Sequence, residues 1–237
     1  MIDKKRMADI LAEYEIAADD VQLDRLDQYA EMLVDWNTRM NLTGITEPHE
    51  IEVKHFLDSI LLLKGTDLAQ NARMIDVGCG AGFPSLPCKI CRPDMKLTML
   101  DSLNKRIVFL QAVGEALALG GIDYIHGRAE EVSRQKQHRE KYDLATARAV
   151  AHLRELSEYC LPFVKVGGVF AALKGYEIET ELDEAANAIK KLGGKVEAVK
   201  KFELPMDNSR SIVVIRKISQ TPPLYPRTPS KMTKSPL

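Results

Sequence analysis

The strongest chemical signal in the sequence is the glycine-rich segment from Gly78 to Gly82, which follows the apolar run from Met74 to Val77. Glycine adopts positive φ without strain and lets the backbone approach a ligand closely. In α/β proteins, ligands bind in turns of this kind, just beyond the carboxyl end of a strand. The segment therefore predicts a binding loop, with a purely structural turn as the alternative.

The spacing of these glycines distinguishes between two classes of cofactor. A dinucleotide fingerprint reads GxGxxG, whereas Gly78, Gly80 and Gly82 give GxGxG, and Asp76 precedes them. An acidic residue beside the turn would repel a pyrophosphate and suits the cationic amino-acid end of S-adenosylmethionine. We therefore predict S-adenosylmethionine as the cofactor, with Gly78 and Gly80 in its site.

Two later segments carry side chains that suit the rest of such a cofactor. Asp101, followed by Ser102, ends the next strand, where a carboxylate accepts hydrogen bonds from ribose hydroxyls. Ala129 and Glu130 follow the third strand, where a backbone N–H and a carboxylate can bind adenine. Helix capping is the alternative explanation at both places. Three successive strand ends with ligand-type groups favour the binding interpretation.

Arg148 lies at the end of the fourth strand, where the reacting group of an open α/β sheet is expected. The alternative role for Arg148 is a surface ion pair with Glu130 or Asp101. The segment lacks both the Asn/Asp-Pro-Pro-aromatic tetrapeptide of amine methylation and the Pro-Cys or Thr-Cys nucleophile of pyrimidine-C5 methylation. A ring nitrogen with a free lone pair is then the simplest acceptor. We assign no catalytic residue, and predict that His55 is structural.

The pattern of elements predicts a Rossmann-like class I methyltransferase fold of the α/β class. Residues 1–71 form a helical extension, and residues 72–218 form a seven-stranded, mostly parallel sheet with an antiparallel last strand. Strand-like runs separated by helical lengths support βαβ units, and the last two runs follow each other without a helix. Residues 219–237 are rich in proline and basic, and we expect an extended tail rather than a packed one.

Composition places the chain among ordinary globular proteins. Its formal net charge is -1, so attraction to phosphate must come from local patches. No segment has the length of apolar sequence that a membrane span or signal peptide needs, and we expect a cytoplasmic protein. Cys88 and Cys91 form a CxxC without a second ligand pair, so we predict reduced thiols and no metal site.

The combination of motifs resembles a known family, the bacterial ribosomal small-subunit RNA guanine-N7 methyltransferases, also called glucose-inhibited division protein B. The resemblance covers essentially the whole chain. The matching segments are Trp36-Asn37, Asn41 to Ile45, His55 with Asp58-Ser59, Asp76 to Pro84, Asp101-Ser102 with Lys105-Arg106, Arg128 to Glu130, Ala147 to Ala151 and Leu173 to Gly175. Ser85 stands where many members have glycine.

The resemblance implies transfer of a methyl group from S-adenosylmethionine to N7 of one guanine in a decoding-region loop of 16S rRNA. It implies cofactor contacts from Gly78, Phe83, Ala129, Glu130 and Arg148. The expected partner is 16S rRNA or the small ribosomal subunit, with no membrane and no obligate protein partner. Two alternatives are a small-molecule methyltransferase, because fold does not fix the substrate, and a non-catalytic RNA- or nucleotide-binding protein.

Overall fold

A seven-stranded sheet forms the centre of the computed structural model, which describes residues 1–237. The strands are β1 (Arg73–Val77), β2 (Lys96–Asp101), β3 (Ile122–His126), β4 (Tyr142–Arg148), β5 (Val164–Gly175), β6 (Gly194–Leu204) and β7 (Asn208–Lys217). Their order is β3-β2-β1-β4-β5-β7-β6. Only β7 runs opposite to the other six strands. The predicted sheet, with its antiparallel last strand, is confirmed.

Helices cover both faces of the sheet and precede it in the chain. They are α1 (Lys4–Glu13), α2 (Asp20–Met40), α3 (Pro48–Glu50), a π-helix (Ile51–Leu57), α4 (Asp58–Gly65), α5 (Ser85–Cys91), α6 (Asn104–Ala116), α7 (Ala129–Val132), α8 (Leu153–Cys160), a 3-10 helix (Leu161–Phe163), α9 (Glu179–Lys191) and α10 (Pro229–Lys234). No strand precedes residue 72, as predicted. The domain boundaries drawn from the sequence stay predictions.

Each face of the sheet has its own apolar core. One core joins the helices before β1 to α5 and α6, and it contains Leu26, Tyr29 and Phe56. The other joins α8 and α9 to the opposite face, and it contains Leu156 and Phe170. The helical extension is thus packed against the face that carries the glycine turn.

The end of α2 fixes a loop that reaches the carboxyl edge of the sheet. Asn41 ends the helix in the left-handed conformation, at φ 49°. The side-chain oxygen of Asn37 accepts hydrogen bonds from the N–H groups of Leu42 (2.6 Å) and Thr43 (2.9 Å). Asparagine suits both positions, because it tolerates positive φ and its side chain can satisfy backbone donors.

The tail differs from its prediction. It contains α10, buries Met232, and seats Arg227 against the buried carboxylate of Glu158, with a nitrogen–oxygen distance of 2.7 Å. The expectation of a tail that is extended rather than packed is therefore wrong. Its composition predicted an unpacked segment. In the structure, hydrogen bonds between arginine side chains and distant groups hold the tail on the domain.

Two further sequence features lie away from the carboxyl edge of the sheet. Cys88 is buried in α5 and donates its S–H to the carbonyl of Ser59 at 3.1 Å. Burial raises the pKa of Cys91 to about 12, which keeps that thiol protonated.

No cluster of His, Cys, Asp and Glu side chains is arranged to hold a metal ion. None of the helices combines the length and the apolar character needed to cross a membrane.

Candidate active site

A cavity of about 320 Å³ lies beyond the carboxyl ends of β1, β2 and β3, and we call it the strand-end cavity. Its lining includes five residues that the sequence predicted as cofactor contacts: Gly78, Asp101, Ser102, Ala129 and Glu130. The strand register explains the convergence, because Val77 pairs with Leu100 and Asp101 pairs with His126. Successive strands therefore end at one edge of the sheet.

A smaller cavity of about 130 Å³ shares Gly78 with the first and follows the glycine turn, and we call it the glycine-turn cavity. The three remaining predicted residues, Gly80, Phe83 and Arg148, line it. The structure thus brings all the predicted residues to two adjoining cavities, and their part in cofactor binding stays a prediction. Leu42 and Thr43, from the loop after α2, complete the wall.

The buried carboxylate of Asp101 connects the glycine turn to the start of α6. Its Oδ2 accepts a hydrogen bond from the Gly80 N–H at 2.9 Å, and its Oδ1 accepts one from the Leu103 N–H at 2.8 Å. Arg106 Nη1 lies 3.3 Å from Oδ2. The helix N-cap considered from sequence at Asp101 or Ser102 is wrong, because Leu103 is the N-cap of α6 and no side chain caps this helix. The bond from the Leu103 N–H to Asp101 lies just before the helix, in the wall of the cavity.

Asp76 is completely buried beneath the glycine turn, and neither carboxylate oxygen has a hydrogen-bond partner in the protein. Burial raises the pKa of Asp76 to about 7, and the nearby hydroxyl and N–H of Ser85 and the charge of Arg148 oppose part of that rise. A buried carboxyl group without a partner is costly. Asp76 lines neither the strand-end cavity nor the glycine-turn cavity, so a ligand there would act on its carboxyl group through charge across the turn and not by contact.

Arg148 is fixed by residues from the helical extension. Its Nη1 donates to Asp58 Oδ2 at 2.6 Å and to the Lys54 carbonyl at 3.2 Å. Its guanidinium lies 4.9 Å from the centre of the Phe83 ring, a cation–π geometry. The ion pair considered from sequence, with Glu130 or Asp101, is wrong. The true partner, Asp58, belongs to the His55-Asp58-Ser59 motif and sits 90 residues away in the chain.

His55 is a neutral ring that contacts both Phe83 and Arg148. It stacks on Phe83 with a centroid distance of 4.3 Å, and its Nε2 lies 2.8 Å from Thr43 Oγ1. Arg148 Nη2 lies 3.4 Å from Nδ1, so Nδ1 accepts a hydrogen bond from Arg148. The N–H of the neutral ring is then at Nε2, and it donates a hydrogen bond to Thr43 Oγ1. Burial, and then the charge of Arg148, lower the pKa of His55 to about 3.

A third cavity, of about 400 Å³, adjoins the glycine-turn cavity through His55, Arg148 and Ala149. We call it the basic cavity, because Lys54, Lys174 and Arg210 also line it. Arg210 Nε lies 3.4 Å from Asp58 Oδ1, so one carboxylate faces two guanidinium groups. Arg210 was not predicted from sequence, since its place at this edge depends on the antiparallel course of β7.

Several lining residues of the strand-end cavity were missed from sequence: Val150, Ala151, Glu155, Tyr159 and Pro229. Val150 and Ala151 belong to the Ala147 to Ala151 segment that the family resemblance matched, which is the signal that could have included them. A Cβ placed on Gly78 would come within 2.8 Å of Val150 Cγ2, so this wall requires glycine at position 78. Pro229 had no such signal, because only the folded tail brings it here.

Solved structures of other proteins share the fold of this chain. A SAM-dependent O-methyltransferase from Thermotoga maritima matches with a TM-score of 0.51 at 16% identity, over 80% of this chain and 73% of that one. A mutant of MtNAS in complex with S-adenosylmethionine matches with a TM-score of 0.56 at 13% identity, over 91% of this chain and 78% of that one. The fold is that of the Rossmann-like methyltransferases.

Sequence comparison identifies the family within this class. The chain belongs to the GidB family, described as rRNA small subunit methyltransferase G, whose model matches residues 22–213. Ribosomal RNA small subunit methyltransferase G of Bacillus subtilis is 50% identical over 228 residues, 96% of this chain and 95% of that protein. Its counterpart from Alkaliphilus metalliredigens is 49% identical over 220 residues, 92% of each chain.

Family membership decides between the functions that the sequence left open. Because the chain belongs to an rRNA methyltransferase family, this function is preferred to the two alternatives, a small-molecule methyltransferase and a non-catalytic binding protein. The predicted resemblance, fold and enzyme class are confirmed.

Proposed function

We propose that this protein transfers a methyl group from S-adenosylmethionine to N7 of a guanine in a decoding-region loop of 16S rRNA. One observation carries the proposal: the glycine-turn cavity lies between the strand-end cavity, with which it shares Gly78, and the basic cavity, with which it shares Arg148. A cofactor on one side and a nucleotide on the other would meet at Arg148. The bound cofactor would supply an electrophilic methyl group on a sulfonium.

The residues of the two cofactor-side cavities fit S-adenosylmethionine. Asp101 can accept from ribose hydroxyls, and Glu130 can accept from the adenine amino group. Glycine at position 78 keeps the turn open to close approach, with φ 73°. The unpartnered carboxyl group of Asp76 lies beneath the turn, where positive charge on an amino-acid group would lower its pKa and stabilise its charged form.

The residues of the chain contribute position rather than proton transfer. N7 of guanine has a free lone pair and no proton at neutral pH, so no general base is needed. Asp58 and Phe83 hold Arg148 in one orientation, where it can position the acceptor nucleotide or its phosphate. Holding two reactants in line can lower a barrier by roughly 7 to 11 kcal/mol in favourable cases.

The basic cavity supports an RNA acceptor. Lys54, Lys174 and Arg210 line it around the ion pair that Asp58 forms with Arg148. The carboxylates that pair with the two lysines, Glu50 and Glu181, lie outside the lining, so the cavity itself holds four cations and one carboxylate. Cations near an active site bind phosphates by releasing counterions, even when the whole chain is close to neutral. The proposed partner is therefore 16S rRNA or the small subunit, and the proposed location is the cytoplasm.

The test is methylation in vitro with small subunits from cells that lack the protein and radiolabelled S-adenosylmethionine. We expect label in 16S rRNA and, after reduction with borohydride, strand cleavage by aniline at one guanine, a reaction specific to N7 methylation. Mass mapping of the cleaved fragment would identify the nucleotide. Label in 16S rRNA without aniline-sensitive cleavage would overturn the N7 assignment, and no label in any rRNA would overturn the substrate.

A further inference from the structure

We propose that residues 219–237, the tail, form a wall of the strand-end cavity and thereby set the affinity for the cofactor. This inference rests on the proposed function, because it assigns that cavity to S-adenosylmethionine. It replaces the expectation of an extended basic tail that is not packed. The argument follows from the attachments of the tail, which are made to the elements that border the cavity.

The loop after α7 holds the first half of the tail. Arg139 donates to the carbonyls of Thr221 at 2.9 Å and Tyr225 at 3.0 Å. Arg134 donates to the carbonyl of Leu224 at 3.1 Å. Because α7 begins with Ala129 and Glu130, the segment that carries the proposed adenine contacts is tied directly to the tail.

A buried ion pair between Arg227 and Glu158 holds the second half of the tail. Arg227 Nε lies 2.9 Å from Glu158 Oε1, Nη2 lies 2.7 Å from Oε2, and the Arg227 N–H also donates to Oε1 at 2.7 Å. Two-point contacts of this kind fix orientation as well as distance. The pair uses the charge of Arg227, so the tail offers fewer free cations than its composition suggests.

These attachments seat Pro229 in the wall of the cavity. Pro229 lines the strand-end cavity together with Glu155 and Tyr159, which α8 contributes. The same helix carries Glu158, so α8 presents the cavity wall and the anchor of the tail at once. Pro229 and Glu130 also border a neighbouring cavity of about 330 Å³ between the tail and α7. Without the tail, the strand-end cavity would open on this side.

The experiment measures the dissociation constant of S-adenosylmethionine and of S-adenosylhomocysteine by calorimetry. The variants are a chain ending at Arg227, which lacks Pro229 and α10, and the full chains with Glu158→Gln and Pro229→Ala. The matched control is Lys231→Ala with Lys234→Ala, which removes tail charges that do not line the cavity. Thermal unfolding verifies that each variant is folded, and Pro229→Ala tests the wall if the other two variants unfold.

We expect the truncated and Glu158→Gln proteins to bind both ligands about tenfold more weakly, Pro229→Ala a few-fold more weakly, and the lysine control unchanged. Dissociation constants unchanged in folded tail variants, while Asp101→Ala still weakens binding, would overturn this inference alone. Loss of RNA affinity and salt dependence with unchanged cofactor affinity would instead make the tail an RNA arm. A wild-type chain that binds no S-adenosylmethionine would overturn the proposed function itself.

Discussion

The carboxylate of Asp101 performs two tasks at once, because it faces the strand-end cavity and accepts hydrogen bonds from Gly80 and Leu103. Removing it deletes a ligand contact and leaves two backbone N–H groups without their acceptor. Stability and affinity are therefore coupled at this residue, and a variant must be judged on both.

We predict that Asp101→Ala weakens S-adenosylmethionine binding by roughly 1.5 to 3 kcal/mol, the range for a charge-assisted hydrogen bond. Its thermal unfolding temperature should also fall. Asp101→Asn keeps one acceptor oxygen and should lose less stability while still losing affinity. Calorimetry and thermal melts of both variants measure the two effects. Unchanged affinity in folded Asp101→Ala would remove this residue from the site.

His55 allows a prediction about pH, because its pKa of about 3 keeps the ring neutral throughout the neutral range. With no proton on the acceptor nitrogen, single-turnover rates at saturating cofactor and RNA should be nearly flat from about pH 6 to 9, where an ordinary histidine titrates. His55→Phe retains an aromatic ring against Phe83 and should keep the flat profile. A limb that follows one ionisation and disappears in His55→Phe would show that a base acts.

Asp76 predicts how stability depends on pH. Its pKa is raised from 3.8 to about 7, so between these values the folded state holds a proton that the unfolded state has released. Stability of the cofactor-free protein should therefore fall as pH rises from about 4 to 7, by on the order of 1.4 kcal/mol per pKa unit. Asp76→Asn should flatten this fall in urea unfolding at pH 5 and 8, whereas the exposed control Asp183→Asn should not. Parallel curves for wild type and Asp76→Asn would contradict the assignment.

At the scale of elements, the helical extension supports the glycine turn. Tyr29 of α2 donates its hydroxyl to the carbonyl of Ala81 and stacks on Phe83 with a centroid distance of 5.3 Å. A Cβ on Gly82, where φ is 100°, would lie 2.6 Å from that hydroxyl. The turn and α2 thus fit each other, and the extension is part of the site's scaffold.

Tyr29→Phe tests this support, since it deletes only the hydroxyl. We expect a loss of about 1 kcal/mol in stability, with a few-fold weaker cofactor binding as the turn loosens. Denaturant unfolding and calorimetry measure both. The control is Tyr176→Phe, which changes an exposed tyrosine that lines neither of the two cofactor-side cavities. A stability loss without any change in affinity would mean that α2 supports the core but not the turn.

Some of the helices and strands could be predicted from sequence patterns, and others could not. The strand-like runs between helical lengths, and the absence of a helix between the last two strands, were predicted, because β-rich runs between turns depend on local residues. The π-helix that carries His55 and the packed tail were not predicted. Both contact distant partners: His55 in the π-helix lies 3.4 Å from Arg148, and Arg227 of the tail binds Glu158, 69 residues earlier in the chain. The predicted cofactor residues converged because each ends or follows a strand of the parallel part of the sheet, whereas Asp58 comes from α4 and Arg210 from the antiparallel β7.

For the whole molecule, a net charge of -1 means that RNA must be attracted by an uneven distribution of charge. The antiparallel course of β7 contributes to that distribution. Arg210, near its start, pairs with Gly175 at the end of β5 and so lies at the carboxyl edge, whereas Arg216 lies towards the other end of the strand. One strand therefore carries one arginine beside the basic cavity and one away from it.

This arrangement predicts unequal effects on RNA binding. Arg210→Ala should weaken binding to 16S rRNA and reduce the slope of log affinity against log salt by about 0.7 to 0.9, the value for one lost phosphate contact. Arg216→Ala is the matched control: its guanidinium pairs with Glu197 at 2.6 Å on β6, and its removal should leave the slope unchanged. Filter binding across a salt series measures both slopes, and calorimetry should give wild-type cofactor affinity for each variant. Equal slopes for the two variants would mean that RNA does not reach the basic cavity, and the acceptor side of the site would have to be sought elsewhere along the carboxyl edge.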